Sequence, residues 1–217
     1  MNKLAVIVPF YKRKELTKLC FKELLRQKNK FGFDVYVCGD NEEIIPNEFK
    51  NVMCNNIPLG NKLNTLLKST QIGNYDGVLI VGSDDFISDS IFELYNSIDT
   101  TELVYYGFDN AHVYSVVIGK IASDFPYTIN GNTIGVARLW TKSTLEKMNY
   151  NLWTSNRNKG LDTDSKKNML IKGVKEIHLS YEGHYILDVK HEMNITNPAL
   201  VNTGSKIYDS IDLNSES

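Results

Sequence analysis

Short apolar runs alternate with amphipathic stretches along the first hundred residues of the chain. Runs rich in β-branched residues predict strands buried on both faces, at Leu4–Pro9, Asp34–Cys38, Val52–Cys54 and Gly77–Val81. Apolar residues recur at helical spacing between Glu15 and Leu25, and again after Gly60. The two amphipathic stretches therefore predict helices that cover a sheet.

The order of these elements indicates where a ligand would bind. Strand, helix, strand, strand, helix, strand is typical of a mostly parallel sheet flanked by helices, so the predicted fold class is α/β. Ligands of such sheets bind outside the carboxyl ends of the strands. Three of those ends are polar, at Pro9-Phe10-Tyr11, Gly39-Asp40-Asn41 and Gly82-Ser83-Asp84-Asp85. We expect all three to border one crevice.

The pattern is less regular after residue 100. Apolar stretches predict strands at Leu103–Tyr106, Val113–Ile118, Val174–Leu179 and Tyr185–Val189, with the first two as candidates for an antiparallel pair. Asp162–Lys172 predicts a helix whose early aspartates suit the helix dipole. The stretch around Gly135 and Trp140 predicts loops. We expect one domain at residues 1–202 and a polar, loosely held tail at 203–217.

Composition narrows the classes of protein. The 217 residues, 42% of them hydrophobic, are enough for one large core, and the net charge of -2 gives no global sign of nucleic-acid binding. Cys20, Cys38 and Cys54 lack a metal-binding spacing, and we expect reduced core thiols. We find no apolar segment long enough for a signal peptide or a membrane span. These features predict a soluble, cytoplasmic protein.

Asp84 and Asp85 directly follow a predicted buried strand. Carboxylates alone would repel a diphosphate, whereas Mg²⁺ or Mn²⁺ is bound by such oxygens and bridges them to phosphate oxygens. The pair therefore predicts a divalent-cation site beside a nucleotide diphosphate. The alternative is that both aspartates cap a helix that begins near Asp89.

Four segments follow one another in an order found in a known family. They are Val8-Pro9-Phe10-Tyr11-Lys12-Arg13, Asp40, Asn56 with Leu59-Gly60-Asn61-Lys62-Leu63-Asn64, and Ile80-Val81-Gly82-Ser83-Asp84-Asp85. In this order and spacing the chain resembles glycosyltransferases of the family 2 type, and the resemblance covers residues 4 to about 198. It implies the GT-A fold of nucleotide-diphospho-sugar transferases, with a mostly parallel central sheet.

The resemblance also implies roles for individual residues. The implied contacts of the nucleotide sugar are Pro9, Tyr11, Arg13, Asp40, Asn61, Lys62 and Ser83, of which Asp40 would contact the base. Asp84 aligns with the principal metal ligand, and Asp85 would be a second ligand or lie behind it. The family usually has Asp-x-Asp-Asp, and Gly82 replaces its first Asp here. Contacts to the ribose are therefore expected from elsewhere.

Two later segments complete the implied site. Gly160-Leu161-Asp162-Thr163-Asp164 resembles the family segment that carries the catalytic base, with Asp162 as first choice, Asp164 as second, and helix capping as the alternative. Many GT-A enzymes complete the metal shell with a late histidine. His191 would take that role, and Lys190 would contact the diphosphate.

These residues predict transfer of a hexose or N-acetylhexosamine, with UDP as the expected nucleotide, and inversion if Asp162 is the base. The acceptor stays open between a surface glycan and a hydroxymethylated DNA base, because the composition rich in Asn, Lys and Ile suggests a viral origin. The basic residues that would line DNA are Lys12, Arg13, Lys14, Arg157, Lys159, Lys166 and Lys167. Trp140 and Trp153 are predicted to pack in the core rather than to bind the acceptor.

Two other classes remain open. A sugar-1-phosphate nucleotidyltransferase also uses such a domain and a cation, but the turn after the first strand lacks the glycines it would need. A nucleotide-sugar-binding module that has lost catalysis is the second, and Gly82 is its sequence signal.

Overall fold

Two sheets and five helices make up the described part of the chain. The computed structural model describes residues 2–116, 120–123, 133–180, 182–190 and 206–208. The larger sheet contains β1 (Leu4–Pro9), β2 (Asp34–Cys38), β3 (Lys50–Asn51), β4 (Gly77–Ile80), β6 (Val104–Phe108), β9 (Leu139–Thr141) and β10 (Lys175–Leu179). The smaller sheet contains β5 (Asp85–Ile87), β7 (His112–Ser115), β8 (Lys120–Ser123), β11 (Ile186–Lys190) and β12 (Lys206–Tyr208). The helices are α1 (Lys14–Phe31), α2 (Leu59–Ser69), α3 (Asp89–Ser97), α4 (Lys142–Lys147) and α5 (Leu161–Ile171), with short 3-10 turns at Glu42–Ile44 and Thr70–Gly73.

The larger sheet lies between two layers of helices. Its order is β10-β6-β9-β4-β1-β2-β3, and every strand is parallel to its neighbours except β9. Successive side chains of β1 point to opposite faces, as in any strand. Leu4, Val6 and Val8 pack with α1 and α3, while Ala5 and Ile7 pack with α2, α4 and α5. The predicted α/β class with a mostly parallel central sheet is confirmed.

Three predicted strands differ from the structure in position or pairing. The third strand is Lys50–Asn51 rather than Val52–Cys54, although the Val52 N–H still donates to the Val37 carbonyl at 2.8 Å. The pair predicted after residue 100 is split, because β6 pairs with β9 and β10 whereas β7 pairs with β8 and β11. The predicted loop around Trp140 contains β9, a three-residue strand in the middle of the larger sheet. All three differences arise from pairing between strands that are distant in sequence, and the local sequence pattern carries no information about that pairing.

The expectation of three reduced thiols was wrong for two of them. Cys38 and Cys54 form a disulfide, with Cα atoms 6.3 Å apart, that ties the end of β2 to the segment after β3. They lie 16 residues apart without a recognisable motif, and they meet because β2 and β3 are neighbours in the sheet. Cys20 is a free, buried thiol on α1, as expected.

Two further observations concern membrane-spanning helices and the predicted tail. Within the described ranges, we find no helix with both the length and the apolar character needed to cross a membrane. Residues 206–208, inside the predicted tail, form β12 and pair with β8.

Candidate active site

The carboxyl ends of β1 and β4 and the first turns of α2 and α5 border a cavity of about 310 Å³. The residues that line it are Pro9, Leu59, Leu63, Ile80, Gly82, Asp84, Asp85, Ala111, Ile134, Gly135, Val136, Asn158, Lys159, Gly160, Leu161, Asp162, Asp188 and Lys190. The structure thus brings together five of the residues predicted from sequence, namely Pro9, Asp84, Asp85, Asp162 and Lys190. They come from segments up to 181 residues apart, as expected for a site at the carboxyl edge of a sheet.

The acidic turn between β4 and β5 depends on a glycine. The Asp85 N–H donates to the Gly82 carbonyl at 3.2 Å, and the Gly82 N–H donates to the Asp85 carboxylate at 2.7 Å. A Cβ on Gly82 would lie 2.4 Å from Asp85 Oδ2, so the side chain that the family carries here would collide with that carboxylate. Asp85 opens β5, and α3 begins only at Asp89, so neither Asp84 nor Asp85 caps that helix.

Three carboxylates and two cations lie around this turn. Asp188 on β11 is the register partner of Asp85 on β5. Arg13 forms an ion pair with Asp84, and Lys190 forms one with Asp188. Burial raises the pKa of Asp85, and the charges of Asp188 and Asp84 raise it further. Burial also raises the pKa of Asp188. This group therefore has one more carboxylate than it has cations.

The donor atoms suit a hard divalent cation. Asp188 Oδ1 is buried, and within the described ranges no hydrogen-bond partner reaches it. Mg²⁺ and Mn²⁺ prefer such carboxylate oxygens as ligands. In this arrangement, Asp84 is paired with Arg13, and Asp188 is paired with Lys190. In the described part of the chain, we find no three His, Cys, Asp or Glu side chains that converge on one point. The predicted ligand His191 lies outside the described residues.

Asp188 is the residue at this turn that sequence reasoning missed. The strand Ile186–Lys190 carries Asp188 and Lys190 two residues apart, and alternation places both on one face. Two opposite charges on one face of a short, partly buried strand were the available signal.

A second cavity, of about 170 Å³, lies at the carboxyl end of β2. It is lined by Phe10, Lys12, Arg13, Lys14, Thr17, Asp40, Asn41 and Ile44. The backbone N–H of Lys12 donates to the Asp40 carboxylate oxygens at 3.2 and 3.1 Å, which fixes Asp40 at the rim. Arg13 lines this cavity, pairs with Asp84 in the larger one, and donates to the buried Ser83 hydroxyl at 3.1 Å. Arg13 therefore connects the two cavities.

Four predicted contacts of the nucleotide sugar line neither cavity, namely Tyr11, Asn61, Lys62 and the buried Ser83. Tyr11 is 43% exposed in the turn after β1, and Asn61 is exposed on α2. Lys62 is 1% exposed, and its ammonium group donates to the Phe10 carbonyl at 2.6 Å and to Asn56 Oδ1 at 2.8 Å. Burial lowers the pKa of Lys62 to about 8. In this structure Lys62 braces the turn after β1 against α2.

Asp162 and Asp164 lie in the first turn of α5 in different surroundings. Asp162 is exposed, lines the larger cavity, and packs so closely against Gly135 that a Cβ there would lie 2.2 Å from Asp162 Oδ1. Asp164 is 7% exposed, and its carboxylate accepts from the Thr154 N–H at 2.6 Å and the Thr154 hydroxyl at 3.0 Å. Arg157 lies 3.5 Å from the same carboxylate. Asp162 is open to a ligand, whereas Asp164 holds a loop.

That loop, residues 152–160, docks on the start of α2. The Leu59 N–H donates to Asn158 Oδ1 at 2.8 Å, and the Gly60 N–H donates to the Arg157 carbonyl at 2.8 Å. Trp153 at the base of the loop packs edge to face with Trp140, with ring centres 5.3 Å apart in the core, as predicted. Leu59 and Gly60, which belong to one of the segments that resemble the family, thus position this loop. Its end, Asn158 to Gly160, lines the larger cavity.

Comparison with known proteins gives a result for the fold and none for sequence. No protein-family model matches the chain, and no curated protein matches it in sequence. Among solved structures, one similar chain is the catalytic domain of Drosophila β1,4-galactosyltransferase 7 with xylobiose, at a TM-score of 0.53 and 14% identity, covering 82% of this chain and 65% of that one. A mutant of that enzyme was solved with manganese, UDP-Gal and xylobiose, at a TM-score of 0.52.

For two other similar structures, the match covers most of the length of their chains. A glycosyltransferase involved in glycosylation of the major capsid of PBCV-1 has a TM-score of 0.51 and 12% identity, covering 91% of this chain and 95% of that one. A Bacillus anthracis protein assigned as a glucose-1-phosphate thymidylyltransferase, in complex with sucrose, has a TM-score of 0.53 and 11% identity, covering 85% and 89%. The chain therefore has the GT-A fold of nucleotide-diphospho-sugar transferases, which confirms the fold implied by the sequence resemblance.

Proposed function

We propose that this protein transfers a sugar from a nucleotide diphosphate to a hydroxyl acceptor, with Mn²⁺ or Mg²⁺ as cofactor. One observation carries the proposal. The acidic group of Asp84, Asp85 and Asp188 and the open carboxylate of Asp162 line the same cavity at the carboxyl edge of a GT-A sheet. Ligands of parallel sheets bind at that edge. A galactosyltransferase with this fold was solved with manganese and UDP-Gal, which supports the same class of donor here.

The donor would bridge the two cavities. The base would enter the smaller one beside Asp40, and the diphosphate would lie along Arg13 and Lys190, whose charge attracts phosphate oxygens. A bound Mn²⁺ or Mg²⁺, held by Asp84 and Asp85, would neutralise the charge that develops on the departing nucleotide diphosphate. The expected donor is a UDP-hexose or UDP-N-acetylhexosamine.

Asp162 would act on the acceptor. Its carboxylate is exposed and faces the cavity, so it can accept the proton of an acceptor hydroxyl as that oxygen attacks the anomeric carbon. A single displacement of this kind inverts the configuration of the sugar. Asp164 is a poorer candidate because its carboxylate is engaged by Thr154.

The identity of the products tests this proposal against its rivals. The protein is incubated with Mn²⁺ and a panel of UDP-glucose, UDP-galactose and their N-acetylated forms, with and without pyrophosphate, and the formation of UDP and of UTP is followed. A glycosyltransferase releases UDP slowly to water and faster with an acceptor. A nucleotidyltransferase instead converts the UDP-sugar and pyrophosphate to UTP and sugar-1-phosphate, and a lapsed module binds UDP without turnover. UTP as product, or binding alone, would contradict the proposal.

The shared fold keeps the nucleotidyltransferase as a second candidate, and the turn after β1 disfavours it. That turn reads Phe10-Tyr11-Lys12-Arg13 and contains no glycine, so it offers no glycine-rich loop to wrap the phosphates of a nucleoside triphosphate.

The acceptor would be a glycan hydroxyl or a hydroxymethylated DNA base. The similar PBCV-1 enzyme is involved in glycosylating a capsid protein, which supports a glycan acceptor. Of the basic residues that would line DNA, Lys159 lines the larger cavity, whereas Lys166 pairs with the buried carboxylate of Glu176. Transfer to a panel of oligosaccharides and to hydroxymethylated oligonucleotides would separate the two acceptor classes.

A further inference from the structure

Arg138 is a buried cation next to the proposed site, and the chemistry above does not use it. Its side chain is 2% exposed, directly before β9, and stacks over the Tyr105 ring with its guanidinium carbon 5.6 Å from the ring centre. Burying a guanidinium group is costly unless hydrogen bonds replace its lost hydration. The bonds that Arg138 makes therefore indicate what it holds in place.

The guanidinium group joins two walls of the larger cavity. On one side, Nε donates to Thr133 Oγ1 at 3.0 Å and Nη2 donates to the Thr133 carbonyl at 2.6 Å. On the other, Nη1 donates to the Asp162 carbonyl at 3.0 Å and to Ser165 Oγ at 3.3 Å. Thr133 leads into the segment 134–136 that lines the cavity, and Asp162 lies in the first turn of α5.

The backbone of Arg138 reaches a third wall. Its carbonyl accepts from the Ile80 N–H at 3.2 Å, and the Ala137 N–H donates to the Ile80 carbonyl at 2.8 Å. Ile80 is the last residue of β4, two positions before the glycine of the acidic turn. One residue is thus bonded to the strand that presents Asp84 and to the helix turn that presents Asp162.

Helix electrostatics argue against a purely stabilising role. The N-terminal end of a helix carries partial positive charge, so a cation bound at the first turn of α5 is unfavourable there. In the described part of the chain, the Arg138 guanidinium donates to carbonyl and hydroxyl oxygens. A neutral donor would also form hydrogen bonds to these oxygens. What arginine adds is a rigid planar fork that fixes two acceptors at a set distance and angle.

We propose that Arg138 is a positioning residue, which sets the Asp162 carboxylate relative to the acidic turn. This role rests on the proposed function, because it matters only if Asp162 acts on an acceptor. The close packing of Asp162 on Gly135 is part of the same arrangement, since Arg138 holds both of their segments. Lysine cannot replace it, because a single ammonium group cannot span Thr133 and Asp162 together.

The test compares Arg138→Lys with the wild type in Mn²⁺-dependent hydrolysis of a UDP-sugar, with water as the acceptor. We expect kcat to fall about 100-fold, because a misplacement of about 1 Å has that effect on a positioned group. The donor KM and the affinity for UDP should stay unchanged, because no donor contact is altered. kcat is calculated per mole of UDP-binding sites, so that a smaller folded fraction, which is what a merely structural role would cause, does not lower it.

Two further variants keep the test decisive. Ser165→Ala removes the second hydrogen bond to the Asp162 carbonyl, which the Ser165 hydroxyl donates at 3.0 Å. It should also lower kcat and leave KM unchanged, and it serves as the test if Arg138→Lys folds poorly. Arg26→Lys, in an exposed ion-pair network on α1, is the matched control and should leave both constants unchanged. Wild-type kcat in Arg138→Lys and Ser165→Ala, or a rise in KM that accounts for the loss, would overturn the positioning role. If the wild type cleaves no donor of the panel, the proposed function fails and this role with it.

Discussion

Asp162 and Asp164, two positions apart in the first turn of α5, lie in different surroundings, and we expect them to have different roles. Asp162→Asn keeps the size of the side chain and its capping capacity, so the free energy of unfolding should change by less than about 1 kcal/mol. Transfer should fall by a factor of about 100 to 10,000, the range of general-base catalysis. Steady-state kinetics with denaturant unfolding of the same samples measures both.

The matched variant Asp164→Asn should behave in the opposite way. It weakens the two bonds from Thr154 to a buried carboxylate, so the free energy of unfolding should fall by about 1–3 kcal/mol while the chemical step is nearly unchanged. If Asp164→Asn instead abolishes transfer and Asp162→Asn does not, the base is Asp164.

Lys62 makes stability depend on pH in a defined direction. Its pKa falls from 10.5 to about 8 in the folded protein because the ammonium group is buried. Between those values the unfolded chain binds more protons, so the free energy of unfolding rises as pH increases through that window. Relative to Lys62→Met, the wild type should gain up to about 3 kcal/mol across it. Denaturant unfolding of both proteins at several pH values measures this, and parallel profiles would contradict it.

At the residue scale, the sequence predicted some positions of the site well and others poorly. Asp84 and Asp162 were predictable because each follows a strong structural signal, a buried strand in one case and a helix start in the other. Lys62 was not, because the motif does not reveal that its ammonium group turns inward to the Phe10 carbonyl. Asp188 and Arg138 were missed because they are recognisable only through partners about 100 and 24 residues away.

At the scale of elements, the disulfide between the end of β2 and the segment after β3 stabilises the wall of the smaller cavity. Cys38 lies two residues before Asp40, and Cys54 lies two residues before Asn56, the partner of Lys62. Closing a loop of this length stabilises a protein by about 3 kcal/mol. Cys54→Ser should therefore lower the free energy of unfolding by about that amount.

A thiol reductant provides the control for this prediction. It should lower the Tm of the wild type towards that of Cys54→Ser and leave the variant unchanged. Cys20→Ala should stay as sensitive to the reductant as the wild type, because Cys20 is free in the structure. Equal Tm values for the wild type with and without reductant would show that the bond is not formed in solution.

The elements that could be predicted are those with a complete local pattern. The bounds of β1 and β2 agree with the expectation because an apolar run defines each strand, and α5, predicted from the aspartates near its start, differs by one residue at each end. The strands β3 and β9 have two and three residues. Such short strands exist through pairing with distant neighbours, and their local sequence does not distinguish them from loops.

At the scale of the whole molecule, the order of elements was enough to predict the edge of the sheet at which the two cavities lie. The carboxyl edge of a parallel sheet gathers the ends of β1, β2 and β4, and the two cavities lie there. The smaller sheet was not predicted, although β5 and β11 of that sheet bring Asp85 and Asp188 together. Its strands are short, and all its pairings except that of β7 with β8 join residues roughly 75 to 100 positions apart, so the charge of the candidate site could be predicted only in part.

The most direct test of the account is the cation dependence of UDP release from UDP-sugars by the wild type and Asp84→Asn. The substitution removes one charge from the proposed cation site and leaves the side-chain volume nearly unchanged, so the protein should stay folded by circular dichroism. With Mn²⁺ present, turnover of Asp84→Asn should be lower than that of the wild type by at least ~100-fold. EDTA should reduce the wild type to a similar level, and added Mn²⁺ should restore it. Full wild-type turnover in EDTA, or equal turnover of both proteins in Mn²⁺, would contradict the account.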